Sequence, residues 1–210
     1  MLGTDDVDTR AVRRDATREQ ILGAAWELAR VDGLASVSLR DVARRVGMRA
    51  PSLYTYFASK HAIYDAMYAQ GARALSEALA AREHDADPQR TFRNRVRSFV
   101  SFCVADPLRY QLIFERPVPG FEPTAESFAI TVAALAETRK DLEATGVRGE
   151  QALDLLRGLI TGLISLQIAN DPGGDRWARL QDEALDMYFA HQLDRRGTAR
   201  PAPARKERRR

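Results

Sequence analysis

The 210-residue sequence has one cysteine, Cys103, and three histidines, His61, His84 and His191. A lone cysteine excludes a disulfide framework and makes a reducing compartment the simplest setting. The histidines lie far apart, without metal-ligand spacing. There is no P-loop, no dinucleotide fingerprint and no Gly-x-Ser-x-Gly elbow. No metal, no cofactor and no enzymatic activity are therefore expected. No uninterrupted apolar run reaches the ~18 residues of a transmembrane helix. The opening residues MLGTDDVDTR carry acids and lack the apolar segment of a secretory signal, so a cytoplasmic location is expected. β-Branched alternation is scarce, which argues against a sheet.

Alanine and leucine are abundant, and apolar residues recur at helical spacing almost throughout. The expected class is all-α, with about nine helices. Charge is unevenly spread: the net is +3 overall, but +5 over residues 10–60, −6 over 61–194 and +7 over 195–210. The basic blocks are the places to seek phosphate contacts, and the acidic middle is not. Residues 1–16 read as a flexible arm. Thr17 and Gln20 read as a capping box that opens a helix to about residue 32, with Gly33 as its stop. A chain this long holds a module of about 50 residues plus one larger domain. The expected division is 17–60, then 61–194, then a disordered basic tail over 195–210.

The most informative stretch is SLRDVARRVGMRAPSLYTYFASK, residues 38–60. Ser38 caps a short helix, with Asp41 completing a capping box. Val42 and Val46 form its apolar stripe, and Ala43 is small where a second helix must cross. Gly47 can end the helix in a left-handed conformation. Pro51 suits the first turn of the next helix, whose Leu53 and Phe57 repeat the stripe. Ser59 caps a longer helix to about residue 82. Small residue, glycine four later and apolar residue six after that is helix-turn-helix spacing, which sets a second helix into the major groove.

The run GLASVSLRDVARRVGMRAPSLYTYFASKHAIYDAM, above all LYTYFASK, resembles the DNA-binding end of the TetR family of bacterial transcriptional regulators. The motif-level resemblance covers roughly residues 17–68. Helix-turn-helix chemistry divides into positioning and reading. Ser38, Lys60 and the hydroxyls of Ser52, Tyr54, Thr55 and Tyr56 suit phosphates, and matching positions in the family commonly touch the backbone. Arg40 and Arg49 can each take guanine in a bidentate fork, and Ala50 and Pro51 can meet a thymine methyl. Arg44 and Arg45 fit either a DNA contact or a solvated surface.

Pro88 opens a further helix, Asp106-Pro107 breaks it, and RPVPGFEPTAE is a loop. Helices then follow to about residue 145, over 149–169 and over 173–193. Phe92, Phe99, Phe102, Cys103, Tyr110, Phe114 and Phe128 fall where the resemblance implies an effector pocket for a small, largely apolar molecule; ordinary core is the other reading. Gly158, Thr161, Gly162, Ser165 and Tyr188 lie on the last two long helices, which the family pairs across a homodimer. The two glycines could instead face the protein's own core. The resemblance implies a dimeric repressor on a palindromic operator, released by a small molecule. A non-specific DNA-compacting protein using its basic arm and tail is the alternative.

Overall fold

The computed structural model describes residues 4–197, with side chains over residues 9–194. Residues 198–210, most of the expected disordered tail, lie outside the described residues. Among the described residues are nine α-helices and no strand: α1 Thr4–Asp32, α2 Leu39–Arg45, α3 Ala50–Leu53, α4 Lys60–Ala80, α5 Pro88–Ala105, α6 Pro107–Phe114, α7 Ala125–Ala144, α8 Glu150–Asn170 and α9 Gln181–Gly197. Short 3-10 turns occupy Leu34–Ser36 and Ala178–Leu180. The last helix runs three residues into the segment expected to be tail.

The first helix corrects the expected arm at 1–16. It begins at Thr4, and Thr17 is an interior residue whose hydroxyl donates to the Arg13 carbonyl at 2.9 Å instead of capping. Residues 9–16 are all exposed, which is why the segment reads as an arm. They nevertheless contain no glycine or proline. The alanines and arginines over residues 10–16 favour helix.

The helix-turn-helix forms as its residues dictate. Ser38 Oγ accepts from the Asp41 amide at 3.2 Å and its hydroxyl donates to the Asp41 carboxylate. Asp41 thus bonds the Ser38 side chain, where a full capping box would have it bond the Ser38 amide. Gly47 turns at φ 68, and the Met48 amide closes back on the Ala43 carbonyl at 2.8 Å. Pro51 lies in the first turn of α3. That helix is one turn long. Looser bonds carry the chain on to Phe57, whose amide reaches the Leu53 carbonyl at 3.0 Å. Ser59 Oγ then accepts from the Ala62 amide at 3.1 Å and starts α4.

Two compact units are present. The first comprises residues up to 82 together with 101–138. Its core joins Ile21, Ala25 and Trp26 of α1, Val42 of α2, Leu53 and Phe57 to Tyr64 and Met67 of α4, Leu112 of α6, and Val118 and Phe121 of the following loop. The expected boundary at 60/61 therefore runs through a continuous core. The core of the helix-turn-helix is completed by α4, α6 and the loop after α6.

Inside this unit, α4 is tied to its neighbours by polar contacts. Trp26 Nε1 donates to Gln70 Oε1 at 2.7 Å, and Gln70 Nε2 donates to Glu19 at 2.8 Å. Asp65 on α4 accepts from the Thr124 amide at 2.7 Å, the Thr124 hydroxyl at 3.1 Å and the Ser127 hydroxyl at 2.9 Å. It thus anchors Thr124, whose Oγ1 caps α7 by accepting from the Ser127 amide at 3.2 Å. The Tyr68 hydroxyl and Thr131 Oγ1 lie 2.9 Å apart.

The second unit comprises residues 83–100 and those from 139 onward. Arg95, buried at the guanidinium, binds Asp141 at 2.6 Å. Phe92 packs edge-on against Phe189. The helix α8 is long and apolar enough by composition alone to cross a membrane, although it has no uninterrupted apolar run. It packs through Leu153, Leu156, Ile160 and Ile164. Its buried Gln167 accepts from the amides of Trp177 and Ala178 at 2.8 and 3.1 Å, closing the loop toward α9.

Candidate nucleic-acid interface

The helix-turn-helix buries one side and presents the other. Val42, Ala43, Leu53 and Phe57 are buried, while Arg40, Arg49, Pro51, Ser52, Tyr54 and Thr55 are exposed together. Tyr54 is 55% exposed, as expected of a residue one position from a buried Leu53 on a helix. Arg49 sits in extended conformation immediately before α3, where its side chain leaves the helix start. Together these groups offer guanidinium forks, hydroxyls and an apolar proline edge.

Other expected contacts are partly engaged within the protein. Ala50 and Tyr56 are half-buried against the core. Lys60 Nζ donates to the Ala35 carbonyl at 2.9 Å and lies 5.3 Å from the Tyr64 ring centre. The 3-10 turn ahead of α2 leaves carbonyls unpaired; Lys60 takes one, and the Tyr64 hydroxyl takes the neighbouring Leu34 carbonyl. Burial pushes the Tyr64 phenol up to about 12. Arg44 pairs with Asp41 and Arg45 with Glu27 of α1, at 3.2 and 2.8 Å.

Two arginines of α1, Arg14 from the expected arm and Arg18 from the expected helix, brace this surface. Arg14 donates to the Thr55 carbonyl at 3.2 Å. Arg18 donates to the Tyr56 carbonyl at 2.6 Å and stacks 4.3 Å from the Phe57 ring centre. They satisfy carbonyls at the end of the recognition turns, where cations are favoured. The i, i+4 repeat of Arg10, Arg14 and Arg18 was visible in the sequence; treating the segment as unstructured hid its meaning.

The aromatic set expected around an effector is dispersed. Phe92 and Phe99 belong to the second unit, and Phe102, Cys103, Tyr110, Phe114 and Phe128 to the first. Phe92, Cys103 and Tyr110 are buried, whereas Phe114 and Phe128 are 40% and 53% exposed. Tyr110 and Phe114 pack with ring centres 5.5 Å apart. Burial also raises the Cys103 thiol far above its ordinary value. Two surface clefts are present, one near Arg90 and Arg97 and one near His61 and Phe121, and none of the seven residues lines either.

Within the second unit, α8 and α9 expose Leu155, Leu166, Met187 and Leu193. Gly158 and Gly162 are exposed, and a Cβ at either would meet nothing within 4 Å. The glycines thus do not face the subunit's own core. Thr161 and Ser165 are half-buried beside them. Tyr188 is placed differently from the expectation: it is buried in its own subunit, and its hydroxyl donates to the Ala152 carbonyl at 3.0 Å. Two residues beyond Asp186, it falls on the inner side of α9 with Leu185 and Phe189.

Known proteins share this arrangement. Residues 21–67 match the family described as bacterial regulatory proteins, tetR family. The chain is 27% identical over 158 residues to the HTH-type transcriptional activator FasR of Mycolicibacterium smegmatis, covering 74% of this chain and 70% of FasR. It is 28% identical over 143 residues to the HTH-type transcriptional regulator Rv1816 of Mycobacterium tuberculosis, covering 64% of this chain and 60% of that protein. In fold it resembles PfmR, a TetR family regulator from Thermus thermophilus, with TM-score 0.59, 20% identity and coverage of 86% and 99%. It also resembles RolR, crystallised with resorcinol, with TM-score 0.58, 18% identity and coverage of 92% and 98%. Residues 21–67 thus carry the DNA-binding segment that the tetR family model describes, and the chain is similar in sequence to HTH-type transcriptional regulators and in fold to TetR family regulators.

Proposed function

We propose that the protein is a cytoplasmic, homodimeric repressor that binds a palindromic operator and leaves it when a small, largely apolar effector binds. The exposed set Arg40, Arg49, Pro51, Ser52, Tyr54 and Thr55 on one side of a buried helix-turn-helix carries the DNA part of this reading. Arg40 and Arg49 read bases, and the hydroxyls and Lys60 contact phosphates. The exposed leucines, Met187 and open glycines of α8 and α9 support pairing with a second copy, which would give the two-fold symmetry that a palindrome mirrors. The aromatic content of α5 to α7, and the small phenol held by RolR, support an apolar effector.

Affinity for DNA upstream of the protein's own gene, compared with random duplex at physiological salt, tests the reading. A specificity ratio of at least ~10³ is expected, and a ratio near one would leave the architectural alternative standing. FasR is named an activator, which favours activation as a second reading. A reporter placed behind the bound DNA decides: repression raises output when the gene is deleted, and activation lowers it.

A further inference from the structure

The helical start of α1 carries arginines that the recognition surface does not account for. We infer that Arg10 and Arg13 form a phosphate-contacting rail on α1 that extends the DNA contact past the end of the recognition turns. The inference rests on the DNA-binding reading above. Arg14 and Arg18 fix the placement, because their guanidinium groups reach the Thr55 and Tyr56 carbonyls. The side of α1 that carries them is therefore set against the end of the recognition turns, next to the exposed Tyr54 and Thr55. Arg10 lies one turn earlier on that side, about 6 Å along the axis from Arg14. At 3.6 residues per turn, Arg10, Arg13, Arg14 and Arg18 fall within an arc of about 140°. Asp15 and Glu19 fall outside it, and Glu19 is directed to Gln70 on α4.

Arg10 and Arg13 are exposed. They are continuous with the recognition surface and opposite in charge to a duplex, which presents one negative charge per about 1.7 Å of axis. With the recognition turns in the groove, an element beside their end meets the sugar-phosphate wall and not base edges. The rail adds affinity without sequence preference, and a helix gives it a fixed reach that a flexible arm lacks. Arg14 and Arg18 act as positioning residues for the turns.

The test uses the full-length protein and a random-sequence duplex of about three helical turns, with binding read by fluorescence anisotropy at about 50 and 200 mM salt. The variants are R10Q/R13Q, R10K/R13K and, as a control outside the rail, R40Q. R10Q/R13Q should lower random-duplex affinity about tenfold or more and reduce the salt slope by about two units per subunit, about four for a dimer with both rails engaged. Its helical circular dichroism and its preference among sequences should stay as in the parent. R10K/R13K should restore both affinity and slope, since lysine supplies the same point charge. Unchanged affinity and slope in R10Q/R13Q, beside a parent that binds, overturns the rail alone. Equal loss in the lysine variant, or an altered sequence preference, also overturns it. A parent that binds no duplex at either salt overturns the DNA-binding reading and the rail with it.

Discussion

At the scale of single residues, Arg40 and Arg49 of the helix-turn-helix carry the sharpest expectation. Arg40→Ala and Arg49→Ala should each cost about 1–3 kcal/mol on the cognate duplex and relax preference at one position of each half-site. Competition binding against single-base variants of the site checks this, and equal losses on cognate and random DNA would make both phosphate contacts. Lys60 is a less clean probe than the sequence suggested, because its amine also supports the turn ahead of α2. The buried phenols of Tyr64 and Tyr188 give a second expectation, since burial raises both to about 12. The neutral form is the one the fold favours. Their stabilisation is complete below the ordinary phenol value of about 10 and is lost as pH rises from about 10 through about 12. Denaturant midpoints should fall over that window, and Tyr64→Phe, which also gives up the bond to the Leu34 carbonyl, should flatten the fall. Cys103, buried and with its thiol pushed up, should resist alkylation until the protein unfolds; rapid labelling of the native protein would contradict its placement.

At the scale of elements, α8 offers a test with little ambiguity. Neither Gly158 nor Gly162 has a neighbour within 4 Å of a built Cβ. Leucine at both should therefore leave the subunit intact, and even favour the helix by up to about 1 kcal/mol per site. The same leucines should separate a paired subunit, so sedimentation should report monomers with undiminished helical signal. A double variant that remains dimeric would place the interface elsewhere. Most element boundaries were legible in the sequence, because caps and stops act locally: Ser38, Gly47, Pro51, Ser59 and Gly146 do in three dimensions what their chemistry suggests. The start of α1 was not legible, since helicity there rests on propensity and dipole terms with almost no apolar stripe. Nor was the inner placement of Tyr188, because α9 changes from buried to exposed within two residues.

At the scale of the whole molecule, the uneven spread of charge along the sequence gives a testable expectation for the basic C-terminal residues. Deleting residues 198–210 changes the formal net charge from +3 to −2. Random-duplex affinity should fall and its salt slope flatten, while preference for the operator stays level or rises. Titration at two salt concentrations checks this, and an unchanged slope would confine phosphate contacts to the region before residue 61. The resemblance to the TetR family was readable from the motifs over residues 17–68 and the helical class from apolar spacing along the sequence, whereas the sharing of one core by α1, α4 and α6 was not. That sharing depends on contacts such as Trp26 with Gln70 and Leu112 with the core around Tyr64, which no local pattern announces.

The anchor that Asp65 supplies to the start of α7 has a consequence in time. Thr124 caps that helix locally through its Oγ1. But Asp65, which holds the Thr124 amide and the Thr124 and Ser127 hydroxyls, lies 59 and 62 residues away in sequence, so the start of α7 is not fully anchored by its own neighbourhood. Closing so long a loop delays the contact relative to local helix formation. The amides at the start of α7 should therefore gain protection from hydrogen exchange late in refolding, well after the middle of α4. In Asp65→Asn they should open more often in the native state than the rest of that helix.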